Sequence, residues 1–303
     1  MLTDRGWRQY LNGNVHVMIN INDGTKIRVT DDDEFHTVFP ESIDLKITNR
    51  CSIGCKMCHE ESTENGDHAN LDAPFFDTLR PYTEIAIGGG SPTSHPHIGE
   101  LLKSLKNKNI LANITLHEKE LLTNYDKIQE WIDKDLLRGI GVSVHSPSYE
   151  RVCDFARRNT NTVLHVIAGM TPLETILSYG DMNMKILILG YKNWGRGAEY
   201  YRENQETVGE NIKDTESNLD QIFNKFKVVS FDNLALRQLN IREHVDDETW
   251  GLFYQGSDAT HTMYIDLVKE EFAATSTSAD RYKLMDTIDH MFAKVKGTMS
   301  HTI

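Results

Sequence analysis

The sequence predicts an α/β protein built around a parallel sheet that curves into a barrel. From residue 84 to residue 236, short apolar runs of strand length alternate with longer stretches whose apolar residues recur at helical spacing. Lys185–Leu189 is apolar throughout after its lysine, as expected of a parallel strand covered on both faces. Connections of this length favour right-handed crossovers. Six or seven such units can be counted, fewer than a complete barrel needs.

A β-hairpin is predicted ahead of the barrel. Residues 15–21 and 27–29 alternate apolar with polar side chains, and Asp23 and Gly24 between them favour a turn. The acidic run that follows is expected to be a solvated connector. We therefore assign residues 1–40 to an N-terminal β-hairpin extension.

The barrel itself is predicted over residues 41–241, and a C-terminal α+β cap over residues 242–303. The strands are predicted at residues 43–47, 84–87, 110–116, 140–145, 162–168, 185–189 and 233–236. The helices are predicted at residues 73–79, 98–105, 121–132, 149–158, 171–180 and 219–226. Within the cap, a hairpin is predicted over residues 262–274 and a closing helix over residues 284–295.

Three of the four cysteines lie within eight positions, directly after the first strand of the barrel. Cys51, Cys55 and Cys58 are therefore expected on a loop at the carboxyl end of that strand. Thiolates on such a loop can converge on a soft metal or on an iron–sulfur cluster without distorting a helix or a sheet.

Three other interpretations compete for this loop. A disulfide is disfavoured, because three cysteines are an odd number and no secretory signal is recognisable at the start of the sequence. Residues 55–59 match the attachment string of a c-type haem, but that reading leaves Cys51 unused. Structural zinc needs a fourth ligand, for which His59 is poorly placed beside Cys58. A zinc-stabilised binding module is the alternative from another functional class.

The spacing C-x3-C-x2-C, with the apolar Met57 before the last cysteine, resembles the signature of the radical S-adenosylmethionine superfamily. The resemblance covers residues 43–239 and implies an incomplete, (β/α)6-type barrel. It also implies a [4Fe–4S] cluster held by Cys51, Cys55 and Cys58, with one iron open to the amine and carboxylate of S-adenosylmethionine. Such enzymes cleave this cofactor reductively, and the resulting 5′-deoxyadenosyl radical abstracts hydrogen from a substrate.

The resemblance further implies which residues bind S-adenosylmethionine. The superfamily carries a Gly-Gly-Glu-Pro turn one unit after the cysteine loop. Gly89, Gly90 and Pro92 match this turn, whereas Ser91 replaces the acid. The remaining expected cofactor contacts lie on the cysteine loop and at strand ends: Met57, His59, Thr115, Ser143, His165 and Leu189.

The substrate is expected on the side of the last strands. Lys192 and Arg237 follow these strands and are predicted to act on the substrate, and Arg196 is a further cation there. The substrate is predicted to be a peptide or protein side chain, or alternatively a small metabolite or nucleotide. Cys153 is expected to be buried and inert, with hydrogen donation to a substrate radical as the alternative.

Composition limits the partners of the protein. The 303 residues include 45 acidic and 32 basic side chains, which give a net charge of -13, so an extended nucleic acid is not an expected partner. No apolar run approaches the length of a membrane span. We therefore expect a cytoplasmic protein with no membrane partner. An electron donor such as flavodoxin or ferredoxin is expected by the resemblance.

Overall fold

The structure is a computed structural model that describes residues 6–147 and 149–299. It begins with a three-stranded antiparallel sheet of β1 (Trp7–Asn12), β2 (Val15–Asn20) and β3 (Lys26–Val29). The predicted hairpin corresponds to β2 and β3. Strand β1 was not predicted, because its sequence is largely polar and lacks the alternation of β2. The first five residues of the predicted extension lie outside the described residues.

A second sheet of ten strands forms the centre of the protein. Seven of its strands run parallel to one another in chain order: β4 (Ser42–Thr48), β5 (Glu84–Gly89), β6 (Leu111–His117), β7 (Gly139–Ser143), β8 (Thr162–Ile167), β9 (Lys185–Leu189) and β10 (Val228–Phe231). On the other side of β4, the sheet continues with β11 (Thr262–Asp266), β12 (Glu271–Ala273) and β13 (Tyr282–Lys283). The predicted α/β class with a largely parallel sheet is confirmed.

Ten α-helices are described, and they are α1 (Ile98–Asn107), α2 (Glu118–Thr123), α3 (Tyr125–Asp133), α4 (Glu150–Arg158), α5 (Leu173–Ser178), α6 (Arg196–Ser217), α7 (Leu219–Phe223), α8 (Asn233–Gln238), α9 (Asp247–Phe253) and α10 (Ile288–Met299). Three short 3-10 helices cover Pro74–Thr78, Pro92–Ser94 and Ile241–His244. Across the described residues, no helix combines the length and the apolar character that spanning a membrane would require.

The parallel strands have two chemically different faces. The face that packs against the helices carries large apolar side chains, all of them buried: Ile43, Leu45, Ile47, Ile85, Ile87, Ile114, Val142, Leu164, Ile186 and Ile188. The inner face is mixed: small or polar side chains such as Asp44, Ala86, Gly88, Thr115, Gly141 and His165 lie beside apolar ones such as Val163, Leu187 and Leu189. A filled barrel packs layers of branched apolar residues on this inner face. Here the inner face therefore leaves space for a ligand.

The predicted strand at residues 233–236 is wrong. The last parallel strand is β10, which ends two residues earlier, and Asn233–Gln238 forms helix α8. Asp232 begins this helix, because its carboxylate accepts the N–H of Ala235 at 2.7 Å. The apolar run that suggested a strand thus belongs to a capped helix.

Two further elements differ from the prediction. The helix predicted at residues 121–132 is split into α2 and α3 at Asn124. Helix α6, 22 residues long, was not predicted, because its sequence is polar and shows no clear apolar stripe.

The C-terminal hairpin predicted over residues 262–274 is present as β11 and β12. Strand β11 pairs in parallel with β4, so this segment extends the central sheet. The division into three domains stays a prediction, and residues 300–303 of the predicted cap lie outside the described part of the chain.

Candidate active site

The three clustered cysteines lie on the loop that follows β4, and all three are free and half-buried. The N–H of Cys51 donates to the carbonyl of Thr63 at 2.7 Å, and the N–H of Cys58 donates to the carbonyl of Cys55 at 3.3 Å. Burial, together with the neighbouring Cys58 and Cys51, raises the pKa of Cys55 to about 11. Neighbouring thiolates repel one another, and a bound metal cation relieves that repulsion and displaces their protons. This donor set therefore fits an iron–sulfur cluster or a soft metal.

Two histidines lie beside the cysteine loop. The ligand atoms of Cys55, His117 and His145 all lie within 4.8 Å of one another, and the two imidazole rings stack with centroids 5.1 Å apart. Nδ1 of His117 accepts the N–H of Lys119 at 3.1 Å, which leaves its other ring nitrogen for this cluster. Burial lowers the pKa of His117 to about 4, so its ring is neutral at pH 7. Cys55 can thus bind a metal either together with Cys51 and Cys58 or together with the two histidines.

A buried ion-pair network attaches the cysteine loop to the central sheet. Lys46 is 2% exposed, and its Nζ lies 2.6 Å from Glu60 Oε2 and 3.0 Å from Asp266 Oδ2. The hydroxyl of Tyr264 donates to Glu60 Oε1 at 3.0 Å. Burial alone would lower the pKa of Lys46, but Glu60 and Asp266 outweigh it and raise that pKa. Glu60, two residues after Cys58, is therefore fixed to β4 and β11.

Two cations approach the loop from the segment after β9. The guanidinium of Arg196 donates to the carbonyl of Ser62 at 2.9 Å and to the carbonyl of Cys55 at 3.4 Å. Lys192 donates to Ser276 Oγ at 2.8 Å, and its Nζ lies 3.3 Å from Nε2 of His59. Arg196 therefore supports the backbone of the cysteine loop. Lys192, predicted to act on the substrate, faces the cavity described below.

The glycine turn after β5 is fastened directly to the cysteine loop. The N–H of Gly90 donates to the carbonyl of Thr48, and that of Ser91 donates to the carbonyl of Arg50, both at 2.7 Å. Gly89 has a φ of +109°. A Cβ on Gly89 would lie 2.5 Å from the Thr48 oxygen, and one on Gly90 would lie 2.3 Å from the Arg50 oxygen. Glycine is thus required here by the close approach of the two backbones.

A carboxylate does reach this turn, although Ser91 replaces the expected acid. Glu120 on α2 accepts from the N–H of Thr93 at 3.1 Å and from its hydroxyl at 2.5 Å. Burial raises the pKa of Glu120, while hydrogen bonds from Thr93 and Ser91 oppose that rise. Glu120 therefore holds the turn from the neighbouring unit and does not line the cavity among the described residues.

A cavity of about 770 Å³ opens beneath the cysteine loop, inside the curve of the sheet. Its volume lies within the range typical of sites for small molecules and cofactors. Ten predicted site residues line it: Cys55, Met57, Cys58, His59, Gly89, Thr115, Ser143, His165, Leu189 and Lys192. Four others do not line it: Cys51, Gly90, Ser91 and Arg237.

Arg237 departs furthest from its prediction. It lies exposed on α8, whereas the sequence placed it after a strand that opens onto the site. The misassigned strand explains the error, because a helix turns this side chain away from the position that a strand end would give it.

Several cavity residues were missed by the sequence analysis: Asp44, Lys46, Glu60, Tyr264 and Ser276. Asp44 and Lys46 carried a signal, since they interrupt the apolar run of β4 at alternate positions. A charged residue inside a strand of this kind indicates an inner face that is not packed. Tyr264 and Ser276 carried no such signal, because their approach depends on the distant pairing of β11 with β4.

The N-terminal sheet closes the other end of the cavity. Asp23 and Gly24 line it, and Lys26 pairs with Glu84 at 2.7 Å. Glu41 is fully buried and lies 2.9 Å from Arg28. Burial alone would raise the pKa of Glu41, but the surrounding cationic and hydrogen-bonding groups lower it to about 2. These ion pairs hold the N-terminal sheet against the barrel.

Solved structures of SuiB from Streptococcus suis resemble this chain. SuiB bound to the precursor peptide SuiA matches with a TM-score of 0.57 at 12% identity, over 95% of this chain and 88% of SuiB. SuiB bound to S-adenosylmethionine matches with a TM-score of 0.56 at 12% identity, over 92% of this chain and 85% of SuiB. The chain has the SuiB fold. An identity this low shows a common fold and no more.

A curated relative matches part of the chain. The tungsten-containing aldehyde ferredoxin oxidoreductase cofactor-modifying protein of Pyrococcus furiosus is 26% identical over 134 residues. The match covers 42% of this chain and 35% of the relative, so the chain spans about a third of that protein's length. No family model matches the chain.

Cys153 lies apart from this site. It is buried on α4 within the hydrophobic core, and it does not line the cavity. Burial raises its pKa, which favours the thiol over the nucleophilic thiolate. This placement agrees with the expected inert role and gives no support to hydrogen donation from Cys153.

Proposed function

We propose that the protein is a radical S-adenosylmethionine enzyme. The observation that carries this proposal is the loop of three free cysteines at the carboxyl end of β4, above a cavity lined by both polar and apolar residues in a SuiB-like fold. Sites in barrels of parallel strands form at the carboxyl ends of the strands. Three features support this function: the position of the loop, the spacing of its cysteines and the open interior of the sheet.

The residues of the chain have separable tasks in this proposal. Cys51, Cys55 and Cys58 would hold a [4Fe–4S] cluster, and this cluster would supply the electron for reductive cleavage of S-adenosylmethionine, the chemistry that leads to hydrogen abstraction from a substrate. The inner residues at the ends of β6, β7 and β8, including Thr115 and His165, offer hydrogen bonds to the cofactor.

The substrate that we propose is a peptide or protein side chain. The solved structure of SuiB with the precursor peptide SuiA supports this class, because the two proteins have the same fold. The curated relative supports a second class, a small cofactor, since its name describes a cofactor-modifying protein. Flavodoxin or ferredoxin is the proposed electron donor in either case.

The decisive experiment is anaerobic reconstitution with iron and sulfide. We expect one four-iron cluster per chain and release of 5′-deoxyadenosine from S-adenosylmethionine under a strong reductant. Cys51→Ala, Cys55→Ala or Cys58→Ala should each abolish both, because three thiolates are needed to hold the cube. Cys153→Ala is the matched control, since it removes the one thiol outside the loop and should change neither.

The zinc alternative has its own signature in this experiment. Zinc at unit stoichiometry without iron, bound to anaerobically purified protein, would contradict the proposal. His117→Ala and His145→Ala then distinguish the two donor sets. A zinc site made of Cys55 and the two histidines would lose its metal in both variants, whereas a three-cysteine cluster would keep its iron.

A further inference from the structure

Asp44 contributes a carboxylate to the wall of the cavity. It lies in the middle of β4 on the inner face, and its side chain is exposed to the cavity while its neighbours Ile43 and Leu45 are buried against the helices. Among the described residues, no hydrogen bond or ion pair is formed by its carboxylate. A carboxylate on a cavity wall that has no partner among the described residues is available to bind a positively charged group of a ligand.

The other carboxylates that line the cavity are all engaged. Glu60 pairs with Lys46, and Glu84 pairs with Lys26. Asp232 accepts the N–H groups of Gly190 and Ala235, and Asp23 accepts the N–H of Thr25. Within the described part of the chain, Asp44 therefore differs from every other acid of the cavity wall.

The charges around Asp44 favour a cation over an anion. Burial is the main cause that raises the pKa of Asp44, and the charges of Asp232 and Glu60 raise it further. Lys192 opposes this rise, but its ammonium is already shared with Ser276 and His59. A positively charged ligand group would relieve the repulsion among these acids.

The shape of the cavity leaves room in front of this carboxylate. Asp44 is in register with Ala86 on β5 and with Tyr264 on β11. A Cβ on Gly88 would meet no atom within 4 Å, which shows that this part of the wall borders open space. A side chain from a ligand can therefore reach Asp44.

We propose that Asp44 binds a cationic group of the substrate, namely a primary ammonium or a guanidinium. Lysine or arginine in a peptide, or the amine of a small molecule, supplies this chemistry. The bound group is assigned to a substrate because the protein is proposed to be an enzyme, so this inference rests on the proposed function. A charge-assisted hydrogen bond to a carboxylate in an enclosed cavity gives both affinity and orientation.

The test uses defined probes on the full chain, reconstituted and saturated with S-adenosylmethionine. The probes are n-pentylamine and three blocked tripeptides with alanine at both ends and lysine, arginine or norleucine in the middle. Calorimetry should show that the lysine and arginine peptides bind about tenfold more tightly than the norleucine peptide. Asp44→Asn should remove this preference, and Asp44→Glu should restore part of it. Asp126→Asn, which changes an exposed acid on α3, is the matched control.

S-adenosylmethionine carries an ammonium and a sulfonium of its own, so its affinity is measured in the same variants. We expect Asp44→Asn to leave that affinity within about twofold, which is less than 0.5 kcal/mol. Weakened cofactor binding with an unchanged preference among the probes would overturn the inference, because Asp44 would then serve the cofactor. Equal binding of the lysine and norleucine peptides to the wild-type protein would also overturn it. Binding of n-pentylamine without the peptides would identify a small amine as the ligand.

Failure of the proposed function is recognised separately. Iron content and cofactor cleavage are measured before any probe is added, and their absence would count against the radical enzyme alone. The probe series is repeated on the iron-free chain, where the preference for a cation depends on Asp44 and not on the cluster.

Discussion

Replacing Gly89 with alanine should destabilise the protein and disturb the cysteine loop together. Its φ of +109° is a conformation that alanine avoids, at a cost of about 1–3 kcal/mol. The added Cβ would lie 2.5 Å from the Thr48 oxygen, which accepts the N–H of Gly90. Loss of that hydrogen bond adds about 1 kcal/mol. We therefore expect Gly89→Ala to lower the free energy of unfolding by about 2–4 kcal/mol.

The neighbouring Gly88 provides a matched control. It lines the cavity, and a Cβ there would meet no atom within 4 Å. Gly88→Ala should change the free energy of unfolding by less than about 1 kcal/mol. Gly88→Val should keep the iron content of the wild-type protein and weaken the binding of S-adenosylmethionine, because its methyl groups enter the cavity.

The measurements are urea unfolding followed by circular dichroism, iron content after reconstitution, and cofactor affinity. Gly89→Ala should lose iron as well as stability, because Thr48 lies three residues before Cys51 and moves with the turn. Full iron content and wild-type stability in Gly89→Ala would refute the close approach as the reason for glycine.

Three further outcomes are expected. Glu60→Gln should lower iron retention, because the ion pair between Glu60 and Lys46 fixes the end of the cysteine loop. Glu61→Gln changes an exposed neighbouring acid and should not lower it, so equal iron content in the two variants would contradict this role of Glu60. Arg237→Ala should leave cofactor cleavage and substrate turnover unchanged, since the side chain is exposed on α8, and impaired turnover would restore its predicted role. The pKa of Glu41 in the folded protein is about 2, below its ordinary value, so the ionised carboxylate stabilises the fold at neutral pH. This contribution to stability is lost as the pH falls from about 4.5 towards about 2. Glu41→Gln should be less stable than the wild type by about 3 kcal/mol at pH 7. Urea unfolding at several pH values should show this difference in stability shrinking between pH 4.5 and pH 2. A difference that stays constant with pH would show that ionisation of Glu41 does not stabilise the fold.

Local patterns predicted most of the parallel sheet. Strands β4 to β9 have one face of large apolar residues, and such a face is visible in the sequence as a repeated alternation or an apolar run. The cysteine loop was predicted for the same reason, because its position follows from the strand before it. Helix α8 was missed because its apolar residues resemble a short strand, and the capping role of Asp232 was not recognised.

The inner face of the barrel was only partly predicted. Thr115, Ser143 and His165 were predicted as strand-end residues, and the structure places all three on the cavity wall. Asp44 and Lys46 were overlooked, although charged residues inside an apolar strand are a recognisable signal. The contribution of β11 could not have been predicted, because parallel pairing between residues more than 200 positions apart leaves no local pattern.

The anchors of the cysteine loop explain how its sulfur atoms can remain available. Arg196 binds carbonyl oxygens of the loop, Lys46 binds the carboxylate of Glu60, and the glycine turn binds the carbonyls of Thr48 and Arg50. Each of these contacts holds the backbone or a residue beside the cysteines, and none uses a thiol. Because the backbone is fixed from β5, β11 and α6 at once, little conformational entropy remains to be lost when the three thiolates bind a common partner. The same arrangement keeps the loop above the cavity, where the carboxylate of Asp44, which has no partner among the described residues, faces the space left for a ligand.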